Sequence, residues 1–147
     1  MKKSLIPTTF YGLIGVFVVI VSAMVILGSN PAFRKYAGAF FWIVSWAIFF
    51  LLGVALIFFT IKEKRKGLIK KFLILTGFSA AGFFIGVLLH NFLYALGTVT
   101  NQIVILGSVI EAFHIIFFII AVFLCPLGFL VGAIGSIVLF VKRKKGN

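Results

Sequence analysis

The ionisable side chains inside the apolar part of this sequence are few, and they lie in its second half. Glu111 and His114 are spaced i, i+3 and therefore share one face of a helix. Di-iron helix bundles use this Glu-x-x-His spacing, but they need a second copy of it and two further carboxylates. The chain has two acidic residues, and the other is Glu63, so one chain cannot build a di-iron site. We therefore expect Glu111 and His114 to form a polar pair at a membrane surface.

His90 is the second point of chemical interest, and Asn91 lies beside it. His90 follows Gly86 by four residues, so the two share a helix stripe. Pro126 has no amide hydrogen and leaves the carbonyl of Val122 without its usual helical partner. Two interpretations stay open: the ring of His90 donates to this carbonyl, or it binds a metal, haem or a proton.

Two GxxxG pairs indicate how the third and fourth apolar stretches pack. Gly82 and Gly86 lie in the third stretch, and Gly128 and Gly132 lie in the fourth. Counted from the flanking basic residues, Gly82 matches the depth of Gly132, and Gly86 matches that of Gly128. Because such pairs let helix backbones approach closely, we expect these glycines to form the contact between the two helices.

This glycine register predicts where the histidines lie. It places His90 near Leu124 and Cys125, and it places His114 level with Thr100. The two histidines are then separated by about 15 Å along the helix axis at 1.5 Å per residue. A zinc site or a bis-histidine haem site shared by them is disfavoured, and we predict no metal and no cofactor.

Helices in a membrane must position these residues. The 147-residue chain is 63% hydrophobic, with a mean hydropathy of +1.30, whereas soluble domains are about 45–50% apolar. Four stretches are long enough to cross a hydrocarbon layer of about 30 Å. They span residues 10–27, 37–61, 72–96 and 113–141. The sequence predicts an all-α membrane protein whose single domain, 1–147, has four transmembrane helices in two antiparallel hairpins.

Basic residues flank the apolar stretches and predict the orientation. Two lie at the start, six lie in the loop 62–71 and four lie at the end, against Arg34 and Lys35 on the other side. The positive-inside rule then places both termini in the cytoplasm of a prokaryotic cell, with the helices in its plasma membrane. The residues expected to contact anionic lipid headgroups are Lys62, Lys64, Arg65, Lys66, Lys70, Lys71, Lys142, Arg143, Lys144 and Lys145. The net charge of +12 comes from short clusters beside apolar runs, which favours lipid over nucleic acid as the partner.

The segment 97–112 is predicted to connect the third and fourth stretches on the outer side, and two alternatives stay open: it lies in the membrane interface, or it extends the fourth helix outward. A continuous helix over 102–141 would be about 60 Å long, which is too long for one crossing. Gly107 permits a break in this segment. Whether the two halves of the chain are a duplication stays open, since any two helical hairpins that follow the positive-inside rule look alike.

The second half of the chain resembles a group of small uncharacterised integral membrane proteins of bacteria and archaea. The residues that carry the resemblance are LTGFSAAGF at 75–83, LHNFLYAL at 89–96, CPLGFLVGAIGSIVLF at 125–140, and Glu111 before a Phe-rich run. The resemblance implies a shared hairpin in which LHN and CP are marked positions. It implies no activity, and it does not cover the first hairpin.

Three classes of function stay open. The first is a non-enzymatic protein that acts by association, as a homo-oligomer or as a small subunit of a larger membrane complex. The second is a small channel or transporter, and the third is a membrane-embedded metal or haem protein. The first is favoured because the mid-membrane polar residues are few, namely Ser22, Ser45 and Ser79, with His90 off-centre. No catalytic motif is present, so we predict that the protein is not an enzyme.

Overall fold

The computed structural model describes residues 4–29, 39–100 and 104–145, and it is helical with no strand among them. The elements are α1 (Ile6–Ser29), α2 (Ala39–Lys62), α3 (Leu68–Thr100), α4 (Val104–Ile119), a π-helical turn (Ile120–Leu124) and α5 (Cys125–Lys145). The π-helical turn joins α4 and α5 into one fourth span. Within the described ranges four spans are long and apolar enough to cross a membrane, which confirms the predicted fold class.

Part of the predicted charge asymmetry lies outside the described residues. Lys2, Lys3, Arg34 and Lys35 are among these positions, and so is the end of the chain beyond Lys145.

The loop between α2 and α3 is shorter than the predicted 62–71. It covers residues 63–67, and α3 begins at Leu68, so Lys70 and Lys71 lie in its first two turns. Lysine is a good helix former, and its long side chain can reach water from a helix end. The basic residues assigned to the predicted loop therefore extend into α3, and their charge did not show where this helix begins.

The fourth span is described from Val104 and passes through Gly107 without a break, so residues 104–112 extend the fourth helix outward, which was one of the two alternatives. A Cβ on Gly107 would have no neighbour within 4 Å, so this glycine makes no close contact. One glycine costs a helix interior about 1 kcal/mol. The apolar residues around it offset this cost, since Ile110 is buried and its side chain lies 3.5 Å from the Cβ position of Gly97.

Close backbone contact joins α2 to α3. A Cβ added to Gly53 would lie 2.9 Å from the carbonyl oxygen of Gly77. A Cβ added to Gly77 would lie 2.7 Å from the carbonyl oxygen of Gly53. Only glycine permits this approach, so the two residues set the depth of α2 against α3.

Aromatic rings join α1 to α2 and α5. One face of α1 is buried, and Ile6, Phe10 and Leu13 on it have 0% exposure, because their i, i+4, i+7 spacing places them on one side of a helix. Phe17 stacks on Phe49 of α2 and lies 4.6 Å, centroid to centroid, from the ring of Phe129 in α5. Phe10 of α1 also lies 5.6 Å, centroid to centroid, from the ring of Phe140 in α5.

Basic residues from separate parts of the described chain meet at one end of this bundle. Ser4, the 63–67 loop and Arg143 surround a common cavity there. We call this the basic end and the opposite one the far end.

Candidate functional site

All four glycines of the predicted GxxxG pairs lie against the neighbouring helix, but they do not face one another. A Cβ on Gly82 would lie 3.3 Å from Sγ of Cys125, and one on Gly86 would lie 3.0 Å from Cβ of Ala121. A Cβ on Gly128 would lie 2.5 Å from Oγ of Ser79. Glycine therefore accommodates a small side chain of the partner helix and not a second glycine.

The predicted glycine register is wrong in depth. Gly86 is level with Ala121 and not with Gly128, a shift of seven residues along the fourth span. Seven residues are about two helical turns, so the glycines keep their face while every level changes. This shift in register brings His90 and His114 to the same level, where their rings are in contact.

His90 and His114 are stacked, so the predicted separation of about 15 Å is wrong. Their ring centroids are 4.1 Å apart and the ring planes differ by 19°. Nδ1 of His90 lies 3.2 Å from the backbone carbonyl oxygen of His114, and it donates in the tautomer that satisfies both atoms. Phe118 packs beside the His90 ring, at 5.2 Å between centroids.

The predicted hydrogen bond from His90 to the carbonyl of Val122 is therefore wrong as well. Pro126 does distort the fourth span, but the backbone adjusts by itself. The chain widens into the π-helical turn, in which the N–H of Cys125 donates to the carbonyl of Ile120. Such single π turns absorb an irregularity within an otherwise continuous helix.

Glu111 is close to His114 without a hydrogen bond to it. Nδ1 of His114 lies 3.9 Å from Oε1 of Glu111. This nitrogen is buried and has no hydrogen-bond partner, while the Glu111 side chain is 67% exposed. Glu111 and His114 therefore share a face as predicted from their i, i+3 spacing, and rotation of the carboxylate could close the gap.

Two other polar side chains near the histidine stack donate to carbonyls of their own helix. The side-chain amide of Asn91 donates to the carbonyl of Val87, and the hydroxyl of Thr98 donates to that of Ala95. Tyr94 packs its ring 5.5 Å from the centroid of His114. The described residues contain no group of three or more His, Cys, Asp or Glu side chains able to hold a metal.

An apolar cavity of about 370 Å³ lies where the π-helical turn passes α1. Pro126 and Cys125 line it on the fourth span, Phe17 lines it on α1, and Trp46 lines it on α2. The cavity lies between helices joined by rings, because rings hold backbones apart where glycines would bring them together.

The basic end is organised by a carboxylate that the sequence did not single out. Glu63 accepts hydrogen bonds from the hydroxyl of Ser4 at 2.7 Å and from the backbone N–H of Leu5 at 3.2 Å. The guanidinium of Arg65 donates to Oε2 of Glu63 at 3.3 Å and to Oγ of Ser4 at 3.1 Å. Glu63 thus ties the start of α1 to the end of α2.

Burial and hydrogen bonding act in opposite directions on the pKa of the Glu63 carboxyl. Burial raises this pKa. The hydrogen bonds from Ser4 and Leu5 and the charge of Arg65 lower it further than burial raises it. The pKa of Glu63 therefore lies below its usual value, because these partners favour the ionised form.

The end of α2 is a Schellman motif with an unusual residue in it. The N–H of Lys64 donates to the carbonyl of Ile61, and the N–H of Arg65 donates to that of Thr60. Lys64 has φ +49°, the left-handed conformation that this motif usually assigns to glycine. A side chain in that conformation costs about 1–2 kcal/mol.

The basic pocket is the cavity of about 780 Å³ between the loop and the helix ends at the basic end. Its walls carry five basic side chains, from Lys62, Lys64, Arg65, Lys66 and Arg143.

The other predicted headgroup residues lie outside this pocket. Lys70 and Lys71 head a separate groove on α3, and Lys142 lines a third cavity. The side chains of Lys144 and Lys145 lie outside the described part of the chain.

Sequence reasoning missed Gly53, Gly77 and the role of Glu63. A signal for Gly77 was present, since Gly77 and Ala81 are small residues four apart. Gly53 has no such partner in its own helix. Comparison of the chain with protein-family models, with curated proteins and with solved structures gave no match.

Proposed function

We propose that this protein acts by association with other membrane chains, copies of itself included, and not by catalysis. The observation that carries the proposal is the far-end extension, which we define as residues 92–100 of α3 and 104–115 of α4. These two segments continue beyond the level of Ala39, the first described residue of α2.

The level follows from the contact between Gly53 and Gly77. Ala39, the first described residue of α2, is fourteen residues from Gly53, so it is level with Asn91, fourteen residues beyond Gly77. From there α3 continues for nine residues to Thr100, which is about 14 Å at 1.5 Å per residue.

The far-end extension packs on itself and leaves large apolar side chains uncovered. Gly97 against Ile110 and the histidine stack hold its two helices together. Val99 is 80% exposed and Ile105 is 81% exposed, the two highest values among the exposed large hydrophobic residues.

Lipid alone covers this surface poorly. α1 and α2 have 24 residues each, or about 36 Å, which already matches the hydrocarbon layer. A further 14 Å of apolar helix is a mismatch that costs fractions of a kcal/mol per Å. Oligomerisation relieves such a mismatch, and exposed apolar patches outside lipid mark protein contacts.

The basic side chains support an orientation. Ten basic residues lie between Lys62 and Lys145, and all of them belong to the basic end. We infer that this end faces the cytoplasm of a prokaryotic cell and that the far-end extension faces outward.

Native mass spectrometry of protein extracted from membranes tests the association. We expect complexes heavier than the 16.2 kDa monomer. We expect the variant Val99→Ser/Ile105→Ser to lose them, since serine weakens an apolar contact without creating a clash. The control is Ile43→Ser/Leu88→Ser, which alters similarly exposed residues, at 63% and 54%, below the extension.

Two results would contradict the proposal. One is a wild-type protein that leaves the membrane only as a monomer. The other is equal loss of the complexes in both double variants, which would assign the contact to the general lipid-facing surface.

A further inference from the structure

The basic pocket holds positive charge that the chain cannot neutralise with its own side chains. The chain has two acidic residues. Glu63 is already bound by Ser4, Leu5 and Arg65. Glu111 lies in α4, on the far-end extension. Glu63 is the one carboxylate among the residues that line the cavity, and five basic side chains line it as well, so the lining keeps a formal charge of +4.

The pocket is built from separate parts of the chain. Lys62 comes from the last residue of α2, Lys64 and Lys66 come from the loop, and Arg143 comes from α5. The hydrogen bonds of Glu63 with Ser4 and Leu5 attach the start of α1 to the same wall. These exposed cations line one cavity from two helices and a loop, and the positive potential of the surface is therefore concentrated there.

Lys64 supports the same conclusion from its backbone. Its left-handed φ of +49° is a conformation in which glycine is unstrained and lysine is not. The loop therefore keeps a cation in the pocket wall where the local backbone favours glycine. Strain of this kind is found where a side chain is needed for binding.

Apolar residues in the wall of the pocket favour a lipid over a soluble anion as the ligand. Leu5 and Phe59 line the cavity beside the cations. Phe59 belongs to the membrane-spanning part of α2, which ends at Lys62. A ligand in this position meets positive charge at one end and the start of the hydrocarbon at the other.

We propose that the basic pocket binds the phosphate group of an anionic phospholipid whose acyl chains run past Leu5 and Phe59 into the bilayer. Basic pockets between helices at the cytoplasmic side are a recurring form of lipid recognition. The proposal is more specific than attraction of a basic surface to lipid, because it assigns one bound lipid to one cavity.

Lipid titration of the purified full-length chain, followed by native mass spectrometry, tests the site. The probes are phosphatidylglycerol and zwitterionic phosphatidylcholine with the same chains. We expect the first phosphatidylglycerol to bind roughly tenfold more tightly than the first phosphatidylcholine. The variant Lys64→Gln/Arg143→Gln should lose roughly this preference, and Lys62→Gln/Lys66→Gln should behave alike.

The matched control is Lys70→Gln/Lys71→Gln, which removes the same charge from the basic end outside the pocket. We expect its preference for phosphatidylglycerol to stay near that of the wild type. Equal loss in the control and in the pocket variants would replace the site by general attraction to the basic surface.

Inorganic phosphate separates a lipid from a soluble ligand. We expect millimolar phosphate to leave the bound phosphatidylglycerol in place, because it lacks the apolar part that meets Leu5 and Phe59. Displacement by phosphate alone would overturn the lipid assignment, and an unchanged preference in both pocket variants would overturn the site.

Discussion

α3 and α1 are held in the bundle by different means. α3 meets α2 through Gly53 and Gly77, and it meets α5 through contacts such as Gly132 against Thr76, which are close approaches of backbone. α1 meets its neighbours through rings, with Phe17 between the other two helices, and it makes no glycine contact of this kind through Gly12 or Gly15.

The difference teaches that the two helices tolerate change differently. Contact between backbones fixes the depth of one helix against the other, because backbone atoms cannot avoid a clash by changing a side-chain rotamer. Ring contact adapts, because side chains can repack, and it leaves room for the cavity beside Pro126. α3 is therefore the centre of the structure, and α1 is the helix that can shift.

Gly132→Leu should have the largest effect. A Cβ at Gly132 would lie 2.8 Å from the backbone nitrogen of Thr76 and 3.0 Å from the carbonyl oxygen of Phe72. Backbone cannot give way, so we expect a loss of about 3 kcal/mol in the free energy of unfolding, or failure to fold. Denaturation of the purified protein by increasing sodium dodecyl sulfate measures it.

Gly15→Leu is the control for this comparison. A Cβ at Gly15 has no neighbour within 4 Å, so the free energy of unfolding should change by no more than about 0.5 kcal/mol. Similar losses in both variants would show that α1 and α3 are held alike.

Phe17→Ala should have a smaller effect than Gly132→Leu, although it removes more atoms. The ring contacts Phe49 and Phe129 and lines the apolar cavity. Lipid is as apolar as the bundle interior, so the lost ring gives up packing and little transfer energy. We expect a loss of about 1–2 kcal/mol in the free energy of unfolding.

Phe78→Ala is the matched control, because Phe78 is 68% exposed on α3. It should leave the free energy of unfolding nearly unchanged in the same denaturation. A loss for Phe17→Ala as large as that for Gly132→Leu would refute the view that ring contacts adapt.

The sequence was sufficient for the four spans, because their signal is composition over twenty or more residues. It was sufficient for the faces of Gly82 and Gly86 too, since a helix face depends only on spacing. Depth was not predictable in this way. Gly86 was paired with Gly128 by counting residues from the basic ends of the two helices. This pairing assumes that one glycine contacts another, whereas Gly86 contacts Ala121.

The histidine stack shows how an error in the relative depth of two helices changes the predicted site. His90 and His114 were correctly placed on two helices, yet a shift of two turns turned distant residues into stacked rings 4.1 Å apart. The hydrogen bonds of Glu63 with Ser4 and Leu5 could not be predicted for a different reason. They join residues 58 and 59 positions apart, and no local pattern records such a contact.

Glu63→Gln tests the tie that holds α1 at the basic end. The pKa of Glu63 is lowered, so its stabilising contribution is present above the usual value of 4.5 and is lost as the pH falls through the lowered pKa. We expect the wild type to lose about 1 kcal/mol on acidification below that value. The variant should show this loss already at pH 7 and little pH dependence from this group.

Hydrogen exchange of the backbone around Leu5 is the measurement, since its N–H donates to Glu63. Exchange there should rise in the variant at neutral pH, and exchange around Gly77 in α3 should stay the same. Faster exchange in both helices would mean that the tie stabilises the whole bundle and not α1 in particular.

Lys64→Gly should have the smallest effect, and the effect should be stabilising. Glycine relieves the left-handed backbone at φ +49°, which costs about 1–2 kcal/mol for other residues. Its greater freedom in the unfolded chain offsets about 0.5–1 kcal/mol of this gain. We expect a net increase of about 0.5 kcal/mol in the free energy of unfolding.

Lys64→Ala separates backbone strain from charge at the same position, because alanine keeps the strain and loses the cation. Only the glycine variant should gain stability, while both variants should bind phosphatidylglycerol more weakly than the wild type. If both gained stability equally, repulsion among the cations of the basic pocket would be the cause. The stability of the loop would then be limited by repulsion among its charges and not by the backbone conformation of Lys64.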